Sequence, residues 1–303
     1  FIGSHLVAAL CEQGRDVICI DNECTGNRRN LAAYQDQVQW ISQDICEPIQ
    51  LNVDEIYHLA CPASPAFYQK DPIQTMKTGL LGTMSVLELA KTCQATVLYA
   101  STSEVYGDPL VHPQHEDYFG NVNPIGDRAC YVASKRCGEG MMMDHYRQDG
   151  IAIKIARIFN TYGPHMAIND GRVVSNFITQ AIANAPITVH GDGQQTRSFC
   201  YVSDLVSGLI ALMASSQETI GPINIGNPDE ISMIELAQKI KRQCQSTSEI
   251  VLAGRPKDDP SRRCPDIKKA KKELAWSPKV SLEDGLDKSI QYFQTQLSTG
   301  VID

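Results

Sequence analysis

From Phe1 to about Arg157 the chain alternates helical patterns with short apolar runs that end in small or acidic residues. Four runs stand out: Asp16-Val-Ile-Cys-Ile20, Glu55-Ile-Tyr-His-Leu59, Thr96-Val-Leu-Tyr-Ala100 and Ile151-Ala-Ile-Lys-Ile155. Runs of this kind, separated by helices, are what strands buried on both faces of a parallel sheet require, so the rhythm predicts an α/β fold with a doubly wound sheet. After Gly163-Pro164 the pattern shifts to longer helices, around 171 to 184, 203 to 215, 231 to 244 and 281 to 297, with short strands near 187 to 190 and 222 to 226. The expected division is a first domain over 1–163 and a smaller mixed α/β substrate-binding region over 164–303, interleaved with the first.

Composition narrows the function. A formal charge of -8 argues against nucleic acid as a partner, because phosphate binding normally leaves a basic footprint; any phosphate must be met locally. Eleven cysteines carry no C-x-x-C pair, and His58, His112, His115 and His165 do not fall at metal-ligand spacing, so neither a disulfide ladder nor a metal is expected. Lys268-Lys-Ala-Lys-Lys272 reads as an exposed helical face, and Met141-Met-Met143 as core or dimer surface. The absence of an N-x-S/T sequon and the free thiols point to the cytoplasm, the secretory lumen being the alternative.

Phe1-Ile2-Gly3-Ser-His-Leu has the form of the last part of G-x-x-G-x-x-G, with Gly3 as the third glycine at the start of a helix that would meet a pyrophosphate. Asp21 closes a strand 18 residues later, where a carboxylate accepts hydrogen bonds from the adenosine ribose hydroxyls. A carboxylate there repels a ribose phosphate and favours NAD over NADP, while Arg28 and Arg29 nearby pull the other way. Asn22, Thr25 and Gly26 continue that loop. Asp44, with Ile45 beside it, reads either as a contact to the adenine edge or as a solvated turn aspartate. The reading places the first strand and two glycines ahead of Phe1, so residues 1–303 by themselves are expected to fold poorly and to be inactive, the function belonging to a longer parent; an upstream membrane anchor is not observable.

Ala129-Cys-Tyr131-Val-Ala-Ser-Lys135 sets a tyrosine and a lysine one helical turn apart on one face. At that spacing the ammonium is expected to depress the phenol's pKa, so that the phenolate can take a hydroxyl proton as hydride leaves. Ser101 to Glu104 follow an apolar strand and so lie at the carboxyl end of the sheet, where such folds bind ligands.

With these features the chain resembles the Rossmann-type extended short-chain dehydrogenase/reductases and, within them, the UDP-glucuronate decarboxylase (UDP-xylose synthase) family. The resemblance runs from Phe1 to about Phe293 and is carried by His58-Leu-Ala-Cys-Pro-Ala-Ser-Pro65, Ser101-Thr-Ser-Glu-Val-Tyr-Gly-Asp108, Asn123-Pro-Ile-Gly126, Ala156-Arg-Ile-Phe-Asn-Thr-Tyr-Gly-Pro164, Asn169-Asp-Gly-Arg-Val-Val-Ser-Asn-Phe177, Gln195-Thr-Arg-Ser-Phe-Cys-Tyr-Val-Ser-Asp204 and Cys264-Pro-Asp-Ile267. It implies that Tyr131 is the base and Lys135 its partner, that Thr102 orients the substrate, and that Ser103 and Glu104 sit at the C5 and C6 end of the sugar. Arg263 would guide the sugar ring, with Arg262 the alternative; Asn160, Arg172 and Arg197 would meet the UDP, with Tyr201 beside them and Lys77 and Thr161 near the sugar or cofactor. It further implies a homodimer through a four-helix bundle built from helices near 71 to 93 and 130 to 149.

The implied chemistry is internally balanced. Oxidising C4 of glucuronate makes a ketone beta to the C6 carboxylate, carbon dioxide leaves, a proton returns to C5, and C4 is reduced again by the NADH still bound. Related 4,6-dehydratases carry Asp-Glu at the pair matching Ser103-Glu104, and 4-epimerases usually lack the glutamate; these are the alternative activities, and an inactive binding homologue is the non-enzymatic one.

Overall fold

The computed structural model describes residues 1–255 and 259–299. The strands of the amino-terminal half are β1 (Val17–Asp21), β2 (Val38–Ser42), β3 (Glu55–His58), β4 (Thr96–Thr102) and β5 (Ile153–Ile158); all but β2 fall within a few residues of one of the four apolar runs. Then come β6 (Thr161–Tyr162), β7 (Ile187–His190), β8 (Thr196–Ser198), β9 (Cys200–Tyr201), β10 (Ile223–Ile225), β11 (Glu230–Ser232), β12 (Ile250–Ala253) and β13 (Arg262–Arg263). The helices are α1 (Ile2–Glu12), α2 (Pro65–Tyr68), α3 (Pro72–Lys77), α4 (Thr83–Cys93), α5 (Ala129–Asp149), α6 (Val173–Ile182), α7 (Val202–Met213), α8 (Met233–Gln243), α9 (Lys268–Leu274) and α10 (Leu282–Ser298).

The parallel sheet is in two pieces. Strands β3, β4, β5 and β10 pair in the order β10-β5-β4-β3, and β1 pairs with β2 alone, with no ladder between the pieces among the described residues. All of these pairings are parallel, as strands joined by helical crossovers must be. Residues of β1 and β3 both line a large cavity, which therefore reaches between the two pieces as well as over their carboxyl ends.

Helices cover both faces of the four-stranded piece. On one side Val97, Tyr99, Ile153 and Ile155 pack with Val86, Leu87 and Ala90 of α4 and Met142 of α5. On the other, Leu98, Ala156, Ile223 and Ile225 pack with Leu205, Leu209 and Leu212 of α7 and with Trp276. Since β10 and α7 come from beyond residue 163, the second half of the chain completes the first half's sheet. Met142 is fully buried in this core, while Met141 and Met143 pack at its margin.

The helix α5 lies unusually close to its neighbours because two glycines remove the side chains that would hold them apart. A Cβ on Gly138 would stand 2.1 Å from the Tyr99 hydroxyl, and one on Gly79, in the π turn Thr78–Gly82 between α3 and α4, would stand 2.5 Å from Ser134 Oγ.

Strand β4 is buried from Val97 to Thr102, whereas every residue of β1 is partly exposed. Amide hydrogen exchange is therefore expected to be faster in Val17–Asp21 than in Val97–Thr102 by about two orders of magnitude or more, because opening free energies track buried contacts. Equal protection would show that β1 is held by something other than its ladder to β2.

Candidate active site

The cavity encloses about 1820 Å³, more than a small-molecule pocket of roughly 300–1,000 Å³ usually holds, and it runs from the α1 terminus and the β1 loop to the far ends of β8 and β13. Its two ends have different chemistry.

At one end, Phe1, Ile2 and Gly3 open α1, and a Cβ on Gly3 would meet nothing within 4 Å, so the backbone at the helix start is open to a ligand. The Asp21 carboxylate sits at the carboxyl end of β1 with Oδ1 receiving the Glu23 N–H at 2.7 Å. Gly26 packs against that carboxylate, where a Cβ would come within 3.0 Å of Oδ2. Asn22 donates to Asp44 Oδ2 at 3.3 Å, Cys46 N–H donates to Asp44 Oδ1 at 2.9 Å, and Ile45 is buried beside them. Thr25 also lines this wall. A helix amino terminus for a pyrophosphate and a carboxylate for a ribose diol are the donor and acceptor set that a dinucleotide needs, so these residues fit NAD.

In the middle stand Tyr131 and Lys135. Tyr131 is 6% and Lys135 3% exposed. Lys135 Nζ donates to the Ala100 carbonyl at 2.8 Å and lies over the Tyr99 ring, 4.9 Å from its centroid. Its distance to the Tyr131 ring centroid is 6.0 Å. The expected depression of the phenol's pKa is not found here. Burial pushes Tyr131 well above the ordinary tyrosine value, with Cys61 and Glu104 acting in the same direction and a hydrogen bond with Thr102 and the charge of Arg172 only partly opposing. Desolvation wins because Lys135 is itself buried, which lowers its own pKa, and is turned to a backbone carbonyl. Tyr68 stacks flat on Tyr131, with ring centroids 5.1 Å apart and planes within 2°, and is fully buried with no hydrogen-bond partner for its hydroxyl among the described residues.

At the other end, β4 delivers Thr102, Ser103 and Glu104, all on the cavity wall, with Thr102 Oγ1 receiving the Glu104 N–H at 3.2 Å. Glu104 Oε1 is 3.5 Å from Arg263 Nη1 and 3.6 Å from Arg128 Nη1. Arg263 is buried while Arg262 is exposed, so the side chain that faces Glu104 is that of Arg263. The β13–β8 register sets Arg263 beside Arg197. Asp259 receives Arg197 Nη2 at 2.8 Å and Arg128 Nη2 at 3.0 Å. Burial pulls the Arg197 pKa down to about 10; Asp259 opposes this, Arg263 and Arg128 reinforce it, and the group stays charged at neutral pH.

The remaining expected residues divide. Asn160 and Thr161 line the cavity, Thr161 Oγ1 donating to the Phe159 carbonyl at 2.9 Å. Arg172 also lines it but is held to Asp170, Nη2 to Oδ2 at 2.7 Å, with its guanidinium 5.7 Å from the centre of the Phe1 ring, so it stands at the α1 end rather than with Arg197. Burial works against that charge, yet Asp170 holds Arg172 above its usual value. Two residues are not brought in. Lys77 is exposed at the end of α3 and off the cavity wall, where its neighbour Thr78 stands instead. Tyr201 is buried in the carboxy-terminal core, edge-on to Tyr162 at 5.6 Å, because β9 turns its ring away from the cavity.

Arg128 and Asp259 were missed in the sequence. Arg128 carried a usable signal: it is the amino-terminal cap of α5, where a cation opposes the helix dipole, so its presence there asks for a reason outside the helix. Asp259 carried none, since only folding brings it between two arginines far from it in sequence.

Known proteins bear on this geometry. The family described as GDP-mannose 4,6 dehydratase matches residues 1–289. UDP-glucuronic acid decarboxylase 3 of Arabidopsis thaliana is 53% identical over 301 residues, covering 98% of this chain and 87% of its own length, and UDP-glucuronic acid decarboxylase 1 of Xenopus tropicalis is 51% identical over 98% of this chain and 70% of its own. The chain belongs to the UDP-glucuronic acid decarboxylase family. Among solved structures, UDP-glucuronic acid 4-epimerase of Bacillus cereus in complex with UDP-glucuronic acid and NAD superposes with a TM-score of 0.88 at 28% identity, over 97% of this chain and 96% of its own. A decarboxylase family thus shares its backbone with an epimerase, so the fold alone does not choose between the reactions.

Burial of Tyr131 leads to a spectroscopic expectation. Without cofactor or substrate the protein should show no tyrosinate absorbance belonging to Tyr131 up to about pH 10, the ordinary tyrosine value, judged by the difference from Tyr131→Phe. A difference signal titrating near neutrality would mean that Lys135 activates the phenol in the free protein after all.

Proposed function

We propose that the protein decarboxylates UDP-glucuronate to UDP-xylose, using NAD as a cofactor that ends each turnover as it began. The observation that carries the reading is the set at the sugar end of the cavity: Glu104 flanked by Arg263 and Arg128, beside Ser103, within the same wall as Tyr131. Buried arginines suit a substrate carrying a pyrophosphate and a carboxylate. NAD, when bound along the Asp21 and Gly3 wall, supplies the acceptor for the C4 hydride and returns it.

The protein's own groups do the rest. Tyr131 takes the proton of the C4 hydroxyl, which its raised pKa allows only once bound ligands supply positive charge or hydrogen bonds to the phenolate. Lys135 stays fixed on the Ala100 carbonyl and keeps a positive charge near the Tyr99 and Tyr131 rings. Thr102 orients the substrate hydroxyl. The C4 ketone lets the C6 carboxylate leave as carbon dioxide, because the electrons left on C5 delocalise into the carbonyl. Glu104 and Arg263 then serve the proton that returns to C5. Ser103 has no acid to give to a departing hydroxyl, which favours decarboxylation over loss of water.

The expected outcome for the full-length protein with UDP-glucuronate and NAD is one carbon dioxide per UDP-xylose, tracked by mass, with no net NADH. A UDP-hexuronic acid of unchanged mass would make the protein an epimerase, and loss of water from a neutral nucleotide hexose, with UDP-glucuronate untouched, a dehydratase. Binding of NAD and of UDP-glucuronate with no product would leave an inactive binding protein.

A homodimer is part of the same reading. Ile73 is 70% exposed and Met84 51%, with Met76 and Leu81 also exposed between them, so α3 and α4 present an apolar strip beside α5. Exposed apolar residues grouped in this way mark an association surface, and a second copy meeting α3–α4 and α5 would make a four-helix bundle. Ile73→Asp with Met84→Asp is expected to shift the protein from dimer to monomer in analytical ultracentrifugation; an unchanged sedimentation coefficient would place the dimer contact elsewhere.

A further inference from the structure

A partly buried ion pair, Glu139 with Arg157, lies behind the sugar-facing corner, apart from the residues that line the cavity. Glu139 stands two turns along α5 from Tyr131 and one from Lys135, so all three share a helix face. Its Oε1 accepts from Ser101 Oγ at 2.5 Å and from Arg157 Nε at 2.9 Å, and its Oε2 accepts from Arg157 Nη2 at 2.8 Å. Arg157, on β5, turns its Nη1 to the Tyr106 hydroxyl and to the Glu116 carbonyl, both at 3.0 Å, and its guanidinium stacks over the Tyr106 ring at 4.9 Å. The Tyr106 hydroxyl donates onward to Asn224 Oδ1 of β10 at 2.8 Å.

Ser101 and Tyr106 are the residues on either side of the segment 102–105, which holds Thr102, Ser103 and Glu104. One carboxylate with its arginine therefore ties both ends of the substrate-facing corner to the helix that carries the base. A third link acts on the same segment from the same helix, since Arg136 Nη1 donates to the Val105 carbonyl at 2.7 Å. Burial works against the Arg157 charge, and the bidentate contact with Glu139 more than offsets it.

We propose that Glu139, with Arg157, is a positioning device that sets the distance between Tyr131 and the Thr102–Glu104 corner, and so keeps the oxidised sugar aligned for its return reduction at C4. The inference rests on the decarboxylase reading above. Oxidation and re-reduction use the same hydride geometry at the same carbon, but between them the sugar changes shape as carbon dioxide leaves. A corner free to drift relative to α5 would loosen the second alignment more than the first, and the 4-keto pentose nucleotide would escape before reduction, leaving reduced cofactor on the protein.

Two variants separate this from a purely structural role. Ser101→Ala removes only the link to the corner and leaves the Glu139–Arg157 pair whole, whereas Glu139→Gln keeps the shape and removes the charge. Both are assayed for kcat, KM for UDP-glucuronate, the ratio of UDP-4-keto-pentose to UDP-xylose released, and thermal stability. For Ser101→Ala we expect kcat to fall about tenfold with KM within about twofold, since small misplacements act on the reacting geometry more than on binding, and the released 4-keto fraction to rise. Glu139→Gln is expected to move the same quantities further. The proposal is overturned if both variants keep the unsubstituted protein's product ratio and kcat, or if they lose only stability while turnover per folded molecule and product ratio hold. Failure of the unsubstituted protein to decarboxylate would instead take down the function itself, a result distinct from either.

Discussion

The close approach of α5 to β4 is the constraint on which the rest of the site depends. The helix can sit there only because Gly138 leaves room for the Tyr99 hydroxyl, and it is held there by Lys135 Nζ on the Ala100 carbonyl. That contact, with the links from Glu139 and Arg136 to the same strand end, places Tyr131 relative to the carboxyl end of β4. Tyr131 itself is buried under the stacked ring of Tyr68, with Cys61 and Val122 packed beside that pair. Burial is what makes the phenol hard to ionise in the free protein.

The charge of the molecule fits the same picture. A chain with a formal charge of -8 still concentrates Arg128, Arg197 and Arg263 at one end of its cavity and Arg172 at the other. Arginines drawn out of water, Arg197 and Arg263 fully and Arg128 and Arg172 in part, are costly without partners, and each here has one: Glu104 serves Arg128 and Arg263, Asp259 serves Arg197 and Arg128, and Asp170 serves Arg172. The net acidity and the local basicity are therefore not in conflict. The carboxylates that stabilise the arginines in the free protein stand beside the places where an anionic substrate would compete for the same guanidinium groups.

A fold shared with an epimerase means that the backbone does not choose the reaction. In the function proposed above, the cofactor wall serves oxidation at C4, and Ser103, Glu104 and Arg263 are the side chains assigned the fate of the ketone. The corner 102–104 is flanked by Ser101 and Tyr106, which Glu139 and Arg157 hold from behind, in a region where polar groups find their partners within the protein.

The strand and helix order was legible along the chain because buried parallel strands write themselves as short apolar runs, and β3, β4 and β5 fall on Glu55-Ile-Tyr-His-Leu59, Thr96-Val-Leu-Tyr-Ala100 and Ile151-Ala-Ile-Lys-Ile155. Tyr131, Lys135 and the run from Ser101 to Glu104 were legible too, since helical spacing and strand ends are local properties. Local pattern could not show that Tyr201 turns into the core, that Lys77 stays outside, or that Arg263 rather than Arg262 meets Glu104. Those outcomes depend on which face of a two-residue strand or a short helix packs inward. Nor could it show that the phenol's pKa rises instead of falling, or that Arg128 and Asp259 join the site. The sequence by itself determined the kind of fold and the helix and strand-end positions of Tyr131, Lys135 and Ser101 to Glu104, through periodicity and spacing; the tertiary structure alone decided burial and long-range charge pairing, because both are sums over neighbours that the chain brings together only when folded.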